Sequence, residues 1–133
     1  MASKTNTRDL ARWIGRQVRA KTLTLAQIAG LDANELGALG DLARTLRRAG
    51  DPERAASVLQ LLLLFDPYEA GHWRAMAQVQ HRLGNLADAT ACYECLALLE
   101  GRNPSNIHCE ARCLQELGQS DLAQRLYAMG GEP

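Results

Sequence analysis

The chain has 133 residues, the length of one ordinary domain, and its 15 Lys and Arg balance 15 Asp and Glu, leaving no formal net charge at pH 7. That balance argues against strong general affinity for nucleic acid, while 47% apolar residues supply a core and argue against disorder. With only two Trp, three Tyr and one Phe, and with Leu, Ala, Arg, Glu and Gln prominent, an all-β fold is excluded and an all-α fold expected.

The N-terminal stretch from Met1 to Asp9 is polar and lacks the apolar run of a secretory signal. A first helix is predicted over residues 8–21. It carries Arg8, Arg12, Arg16 and Arg19 on one stripe, Leu10, Ile14 and Val18 opposite, and Trp13 beside them. Such a helix suits docking on protein, with a membrane surface or nucleic acid as the alternative. Residues 1–30 hold six basic side chains against Asp9 alone, which marks a distinct N-terminal segment and leaves the rest acidic.

A short helix is predicted over 25–29, followed by longer ones over 33–49, 52–65, 68–83, 86–99, 104–117 and 120–129. Asp51-Pro52, Asp66-Pro67 and Asn103-Pro104 each set a capping side chain before a proline, which the first helical position tolerates because its N–H has no partner there. Asp32 with Glu35, Asp66 with Glu69, and Asn85 with Asp88 have capping-box spacing. The longest nearly apolar run, Val58 to Phe65, is interrupted by Gln60 and is far shorter than the ~20 residues that cross a bilayer. No stable membrane insertion is expected.

Laid against itself, the chain repeats with a period of 34. Gly50, Gly84 and Gly118 share one column, Ala43, Ala77 and Ala111 a second, and Ala55, Ala89 and Ala123 a third. Leu39, Trp73 and Ile107 fall on the same grid, as do Leu59, Tyr93 and Tyr127. Small residues at fixed places let paired helices approach, large ones fill the gap between pairs, and the glycine ends the first helix of each pair. Period and columns resemble the tetratricopeptide repeat over about residues 36–130. The resemblance implies three helical hairpins in a right-handed solenoid over 32–130, preceded by the basic segment 1–31 and followed by a tail over 131–133. The last helix is expected to show an apolar face, including Leu122 and Leu126, that something else covers.

Chemistry-bearing motifs are sparse. There is no Gly-rich phosphate loop, no G-x-S-x-G and no H-E-x-x-H, and His72, His81 and His108 lie at different helical positions without a spaced pair of carboxylates, so no catalytic residue is assigned and the chain reads as a non-enzyme. Cys92, Cys95, Cys109 and Cys113 lie on two consecutive predicted helices, a placement compatible with four thiols converging on zinc. Structural zinc ligands generally sit on turns, however, and buried cysteine is an ordinary small core residue, so neither metal nor cofactor is expected. Without an export signal the four cysteines point to free thiols in a reducing cytosol.

A closer resemblance rests on Thr24-Leu25 through Ala29-Gly30-Leu31-Asp32, on Phe65-Asp66-Pro67-Tyr68 joining the first two units, and on Asn103-Pro104 followed by His108, Ala111, Cys113, Leu114 and Leu117-Gly118. Over about residues 22–128 this resembles the SycD/LcrH-type, class II chaperones of bacterial type III secretion. It implies a bacterial cytoplasmic chaperone that keeps translocator subunits soluble before export by gripping an extended segment in its concave groove. A generic tetratricopeptide scaffold or a chaperone-like transcriptional co-regulator is the alternative. The family commonly shows tyrosines where this chain has Gly40, Arg44 and Arg47. It also implies weak homodimerisation through the N-terminal helix, here Leu10, Trp13, Ile14 and Val18.

The resemblance further implies that the first helix of each hairpin lines the groove. Transferred to this chain, that selects Gly37, Gly40, Arg44, Arg47 and Arg48, then Gly71, Arg74, Gln78, His81 and Arg82, then Ser105, His108, Arg112, Gln115 and Glu116. Leu39, Trp73 and Ile107, with Leu46, are expected to floor its apolar pockets. The expected partner-binding set is Leu39, Gly40, Arg44, Arg47, Trp73, Arg74, Gln78, His81, His108 and Arg112. Six arginines among the lining positions face one glutamate and suit carboxylates and backbone carbonyls, unless neighbouring acids such as Asp41 engage them first.

Overall fold

The structure, a computed structural model, describes residues 29–130. Within them lie six α-helices and no strand: α1 (Ala33–Arg48), α2 (Pro52–Phe65), α3 (Ala70–Arg82), α4 (Leu86–Glu100), α5 (Pro104–Glu116) and α6 (Ser120–Gly130). The helices expected over 8–21 and 25–29, the dimerisation residues Leu10, Trp13, Ile14 and Val18, and the tail over 131–133 lie outside the described residues, apart from Ala29. No described helix is long and apolar enough to cross a membrane.

The repeat columns become the turns and contacts of three hairpins. At the end of α1 the Gly50 N–H donates to the Arg47 carbonyl and the Asp51 N–H to that of Leu46, and the same pair of bonds recurs at Gly84 and Gly118. These closures need a left-handed residue, and the three glycines have φ of 77°, 79° and 83°. Ala55, Ala77, Ala89, Ala111 and Ala123 are fully buried and Ala43 nearly so, which is what lets the helices approach closely. Consecutive helices pack on one another from α1 to α6.

Two apolar cores result. The larger runs through α1 to α4, around Leu59, Leu62, Met76, Val79, Tyr93 and Leu96, and takes in Cys113 of α5. Burying a leucine such as Leu62 stabilises the fold by about 1.5–3 kcal/mol relative to leaving it in water. The smaller core joins α5 and α6 through Ile107, Ala111, Leu114, Ala123 and Leu126, with Tyr127 against it. Leu126 is therefore internal, whereas Leu122 and Met129 face solvent.

Three helix starts differ in detail from expectation or agree with it for visible reasons. Asp32 and Glu35 form the expected capping box on α1, the Glu35 N–H donating to Asp32 Oδ1 at 2.8 Å. α3 begins at Ala70 rather than at residue 68, and its cap is Glu69, whose carboxylate accepts from the Gly71 N–H, while Asp66 closes the end of α2. The cause is tertiary: Trp73 Nε1–H donates to the Pro67 carbonyl at 2.7 Å and holds Pro67-Tyr68 as a turn. Asn85 precedes α4 without a side-chain cap, because its Nδ2 donates to Gln80 Oε1 instead.

Candidate functional site: a polar groove and a glycine-walled cleft

α1, α3 and α5 are the first helices of the three hairpins, and their polar residues join one repeat to the next. Arg47 on α1 donates to Gln78 Oε1 on α3 at 2.5 Å, and His81 Nε2 on α3 lies 2.9 Å from Glu116 Oε2 on α5. Arg74 pairs with Glu100 at the end of α4, and the same carboxylate accepts from Asn106 Nδ2 at the start of α5. Arg44 is held by Asp41 one turn earlier at 2.8 Å. The arginines are thus less uniformly free than the sequence columns suggest. Arg44 and Arg74 are acid-paired, Arg47 is bound to a neutral amide, and Arg48, Arg82 and Arg112 make no ion pair among the described residues.

Between α1 and α3 a cleft of about 530 Å³ opens. Its floor is apolar, with Leu36 and Ala43 from α1, Leu59 from α2 and Ala75 from α3. Gly37, Gly40 and Gly71 contribute walls without side chains, and polar groups stand at the rim, Asp41, Arg44 and Arg47 on one helix, Asp66, Glu69 and the His72 imidazole around the start of the other.

The expected binding residues divide accordingly. Gly40, Arg44 and Arg47 line this cleft. Leu39 and Trp73 are half-buried against the larger core, and Trp73 also anchors the turn at Pro67. Ile107 is buried in the smaller core. Gln78, His81 and Arg74 are members of the repeat-bridging bonds. His108 packs its ring on Tyr127 of α6, with centroids 5.7 Å apart, and Arg112 is exposed.

Sequence reasoning passed over His72 and Ala75, which sit one position off the transferred columns. It also passed over an ionic cluster, with one buried carboxylate, at the joint between the second and third hairpins. There Arg102 donates to Glu110 Oε1 at 2.6 Å and to both oxygens of Glu94 at 3.0 and 2.9 Å. Glu110 is almost fully buried, and its Oε2 has no partner. Burial, together with the nearby Glu94, pushes the Glu110 carboxyl up to about 7 despite Arg102. Glu94 is lowered in turn, by the neighbouring Glu110 carboxyl first and by Arg102, with burial opposing. A signal existed: Glu110 occupies the column of Met76, a buried apolar position one repeat earlier.

The four cysteines are free thiols. Burial pushes Cys92 up to about 12 and Cys113 up to about 11, so both stay protonated and poorly nucleophilic at neutral pH. Among the described residues no group of His, Cys, Asp and Glu is arranged to hold a metal ion.

Solved structures supply the class. The chain superimposes on the type III secretion translocator chaperone SycD of Yersinia enterocolitica with a TM-score of 0.68 at 24% identity, covering 80% of this chain and 85% of that one. SycD has also been solved as an alternative dimer. PcrH in complex with the chaperone binding region of PopB matches with a TM-score of 0.69 at 26% identity, over 74% of this chain and 80% of that one. Its complex with the corresponding region of PopD gives 0.70 at 26% identity, over 74% of each chain. No protein-family model matches the sequence, and a search of curated proteins finds no match. The hairpin stack is thus a tetratricopeptide-type fold. Its particular architecture is that of the class II translocator chaperones of type III secretion, as the sequence resemblance implies.

Proposed function

We propose that this protein is a type III secretion chaperone that holds an extended segment of a translocator in the groove formed by α1, α3 and α5. The observation that carries the reading is the likeness to PcrH, solved with the chaperone binding regions of two different partners, PopB and PopD. The groove's chemistry suits such a ligand: side-chain donors and acceptors along its length engage an extended backbone, and an apolar-floored cleft takes a side chain. Leu39, Gly40, Arg44, Arg47, Trp73, Arg74, Gln78, His81, His108 and Arg112 are the proposed binding set, with Leu39 and Trp73 acting from the core beneath.

The protein works by binding, in the bacterial cytoplasm, and not by catalysis. The basic segment 1–31 serves weak self-association through Leu10, Trp13, Ile14 and Val18, the hairpins over 32–130 hold the client, and 131–133 is a tail. Co-expression with the products of neighbouring genes, among which the reading expects hydrophobic translocators, followed by affinity purification and mass spectrometry, tests it. A translocator that stays soluble and co-purifies only when this chain is present is the expected result. Equal solubility of every neighbouring translocator with and without the chain would overturn it.

A further inference from the structure

We propose that the joint between the second and third hairpins is a proton-dependent latch: with Glu110 protonated the third hairpin is held on the second, and ionisation of Glu110 lets α5 and α6 swing open as a unit. Such a latch acts on whatever the groove binds, translocator or not. The two joints of the repeat differ column by column. At the first, Pro67 fixes the backbone and Trp73 Nε1–H donates to its carbonyl at 2.7 Å. One repeat later the same two columns hold Gly101 and Ile107. Ile107 has no side-chain donor to offer, and Gly101, with φ of 76°, stands in the left-handed region. The second joint therefore lacks both the pin and the rigid residue of the first.

What holds the second joint instead is ionic. The columns of Tyr68, Met76 and Gln60 carry Arg102, Glu110 and Glu94 one repeat later, so a buried apolar side chain has become a carboxyl group 1% exposed. Arg102 donates from Nη1 to Glu110 Oε1 and from Nη2 to both oxygens of Glu94, which leaves Glu110 Oε2 with no donor among the described residues. A proton on Glu110 makes it neutral and leaves the guanidinium to balance Glu94. Ionised, it sets a second negative charge beside one cation in a dry place, and opening to water relieves that cost. Burial accordingly keeps it protonated up to about 7. Glu94 faces it from α4, Arg102 from the connecting loop, and on α5 the Cys113 thiol, pushed up to about 11 by burial and so neutral throughout this range. On α6, Asp121 and Arg125 make no ion pair among the described residues, and on α3 His81 is engaged by Glu116. The part that opens already has its own core, around Ile107 and Leu126, and meets the rest through Cys109 and Cys113, the bond from Asn106 to Glu100 and that between His81 and Glu116. Swinging α5 away breaks the last of these and takes His108 and Arg112 out of the groove.

Backbone hydrogen exchange of the full chain, read as protection factors so that the intrinsic pH dependence of exchange drops out, tests the latch. With Glu110 titrating at about 7 in the closed joint and at the ordinary 4.5 in the open one, protection of the α5 and α6 amides should fall about twentyfold from pH 5.5 to 7.5. At pH 7.5 it should also lie about tenfold or more below that of the α2 and α3 amides, because the third hairpin opens without the first two. Glu110→Gln should flatten the pH dependence in α5 and α6. Should that variant fail to fold, Glu110→Met, which repeats the residue of the preceding hairpin, supplies the same comparison. Equal protection in all the helices would reveal only cooperative unfolding of the whole chain and overturn the latch. So would protection of α5 and α6 that does not respond to pH, or a fall that persists when Glu110 is replaced.

Discussion

Glu110 is the residue whose environment departs furthest from its chemistry. An acid on a column that holds Met76 one repeat earlier is buried between hairpins with a single cation, Arg102, for two carboxylates. Its folded pKa of about 7 lies above the ordinary carboxylate value of 4.5, so the folded state binds a proton that the unfolded chain releases. The stabilisation is complete below about pH 4.5 and is lost as pH rises through 7. Glu94, shifted downward, works in the opposite sense, but its window lies below the ordinary value and leaves the range from pH 5 to 8 to Glu110. Thermal melts should therefore show stability declining from pH 5.5 to 8 by ~1–3 kcal/mol, and Glu110→Gln should remove most of that slope. A slope that persists in the variant would assign it to other groups. Trp73 makes the second residue-scale prediction: Trp73→Phe keeps the ring but loses the bond to the Pro67 carbonyl. Urea unfolding should register a loss of ~1 kcal/mol, more if the carbonyl stays dry.

At the scale of the element, the hairpins depend on small residues between helices and on one backbone conformation at each turn. Ala89 is fully buried, so Ala89→Leu forces extra volume into a filled space and should lower stability by ~1–3 kcal/mol in a denaturant titration. Gly84 has φ of 79° with nothing near its missing Cβ, so Gly84→Ala tests backbone strain alone and should cost ~1 kcal/mol. A melting curve unmoved by Ala89→Leu would contradict the close helix approach. These features were legible in the sequence because they are local and recur at a fixed spacing: the columns of Gly50 and Ala43 predict the turns and tight contacts that the structure contains. What was not legible depends on contacts between elements. The late start of α3 follows from Trp73 reaching back to Pro67, and Asn85 leaves its helix uncapped because Gln80 takes its amide. The cleft was half legible. Gly40, Arg44 and Arg47 fall on transferred columns, but His72 and Ala75 belong to the face of α3 turned towards α1, which depends on how far the two helices stand apart.

Across the whole molecule, the third hairpin has a core of its own and joins the second through Cys113, the bond from His81 to Glu116 and the cluster at Arg102. The groove therefore spans two packing units joined by Cys109 and Cys113 in the larger core and by these polar bonds, and its charges serve the fold as well as a ligand. Self-association belongs to the same scale. On the proposal that the N-terminal stripe Leu10, Trp13, Ile14 and Val18 serves weak self-association, sedimentation should show concentration-dependent association in the full chain and monomers in a chain starting at Thr22. Equal sedimentation of the two would place any self-association elsewhere. Client binding tests the groove's field. Because Asp41 and Glu100 already hold Arg44 and Arg74, the proposed client's carboxylates should find partners more readily at Arg47, bonded only to Gln78, and at Arg112, which has no acid of its own among the described residues. Exposed pairs of this kind are screened within ~8–10 Å at ordinary ionic strength, so client affinity should weaken with added salt. The dependence should stay shallow, because the apolar anchor in the cleft does not respond to screening in that way. The Arg47→Glu, Arg112→Glu double variant should weaken client binding about tenfold and flatten the remaining salt dependence, and Arg112→Glu alone, at an exposed position with no ion pair among the described residues, should do part of this with little change in melting temperature. Calorimetric titration of the co-purifying translocator segment at two salt concentrations measures both effects, and unchanged affinity in the double variant would move the client off this groove.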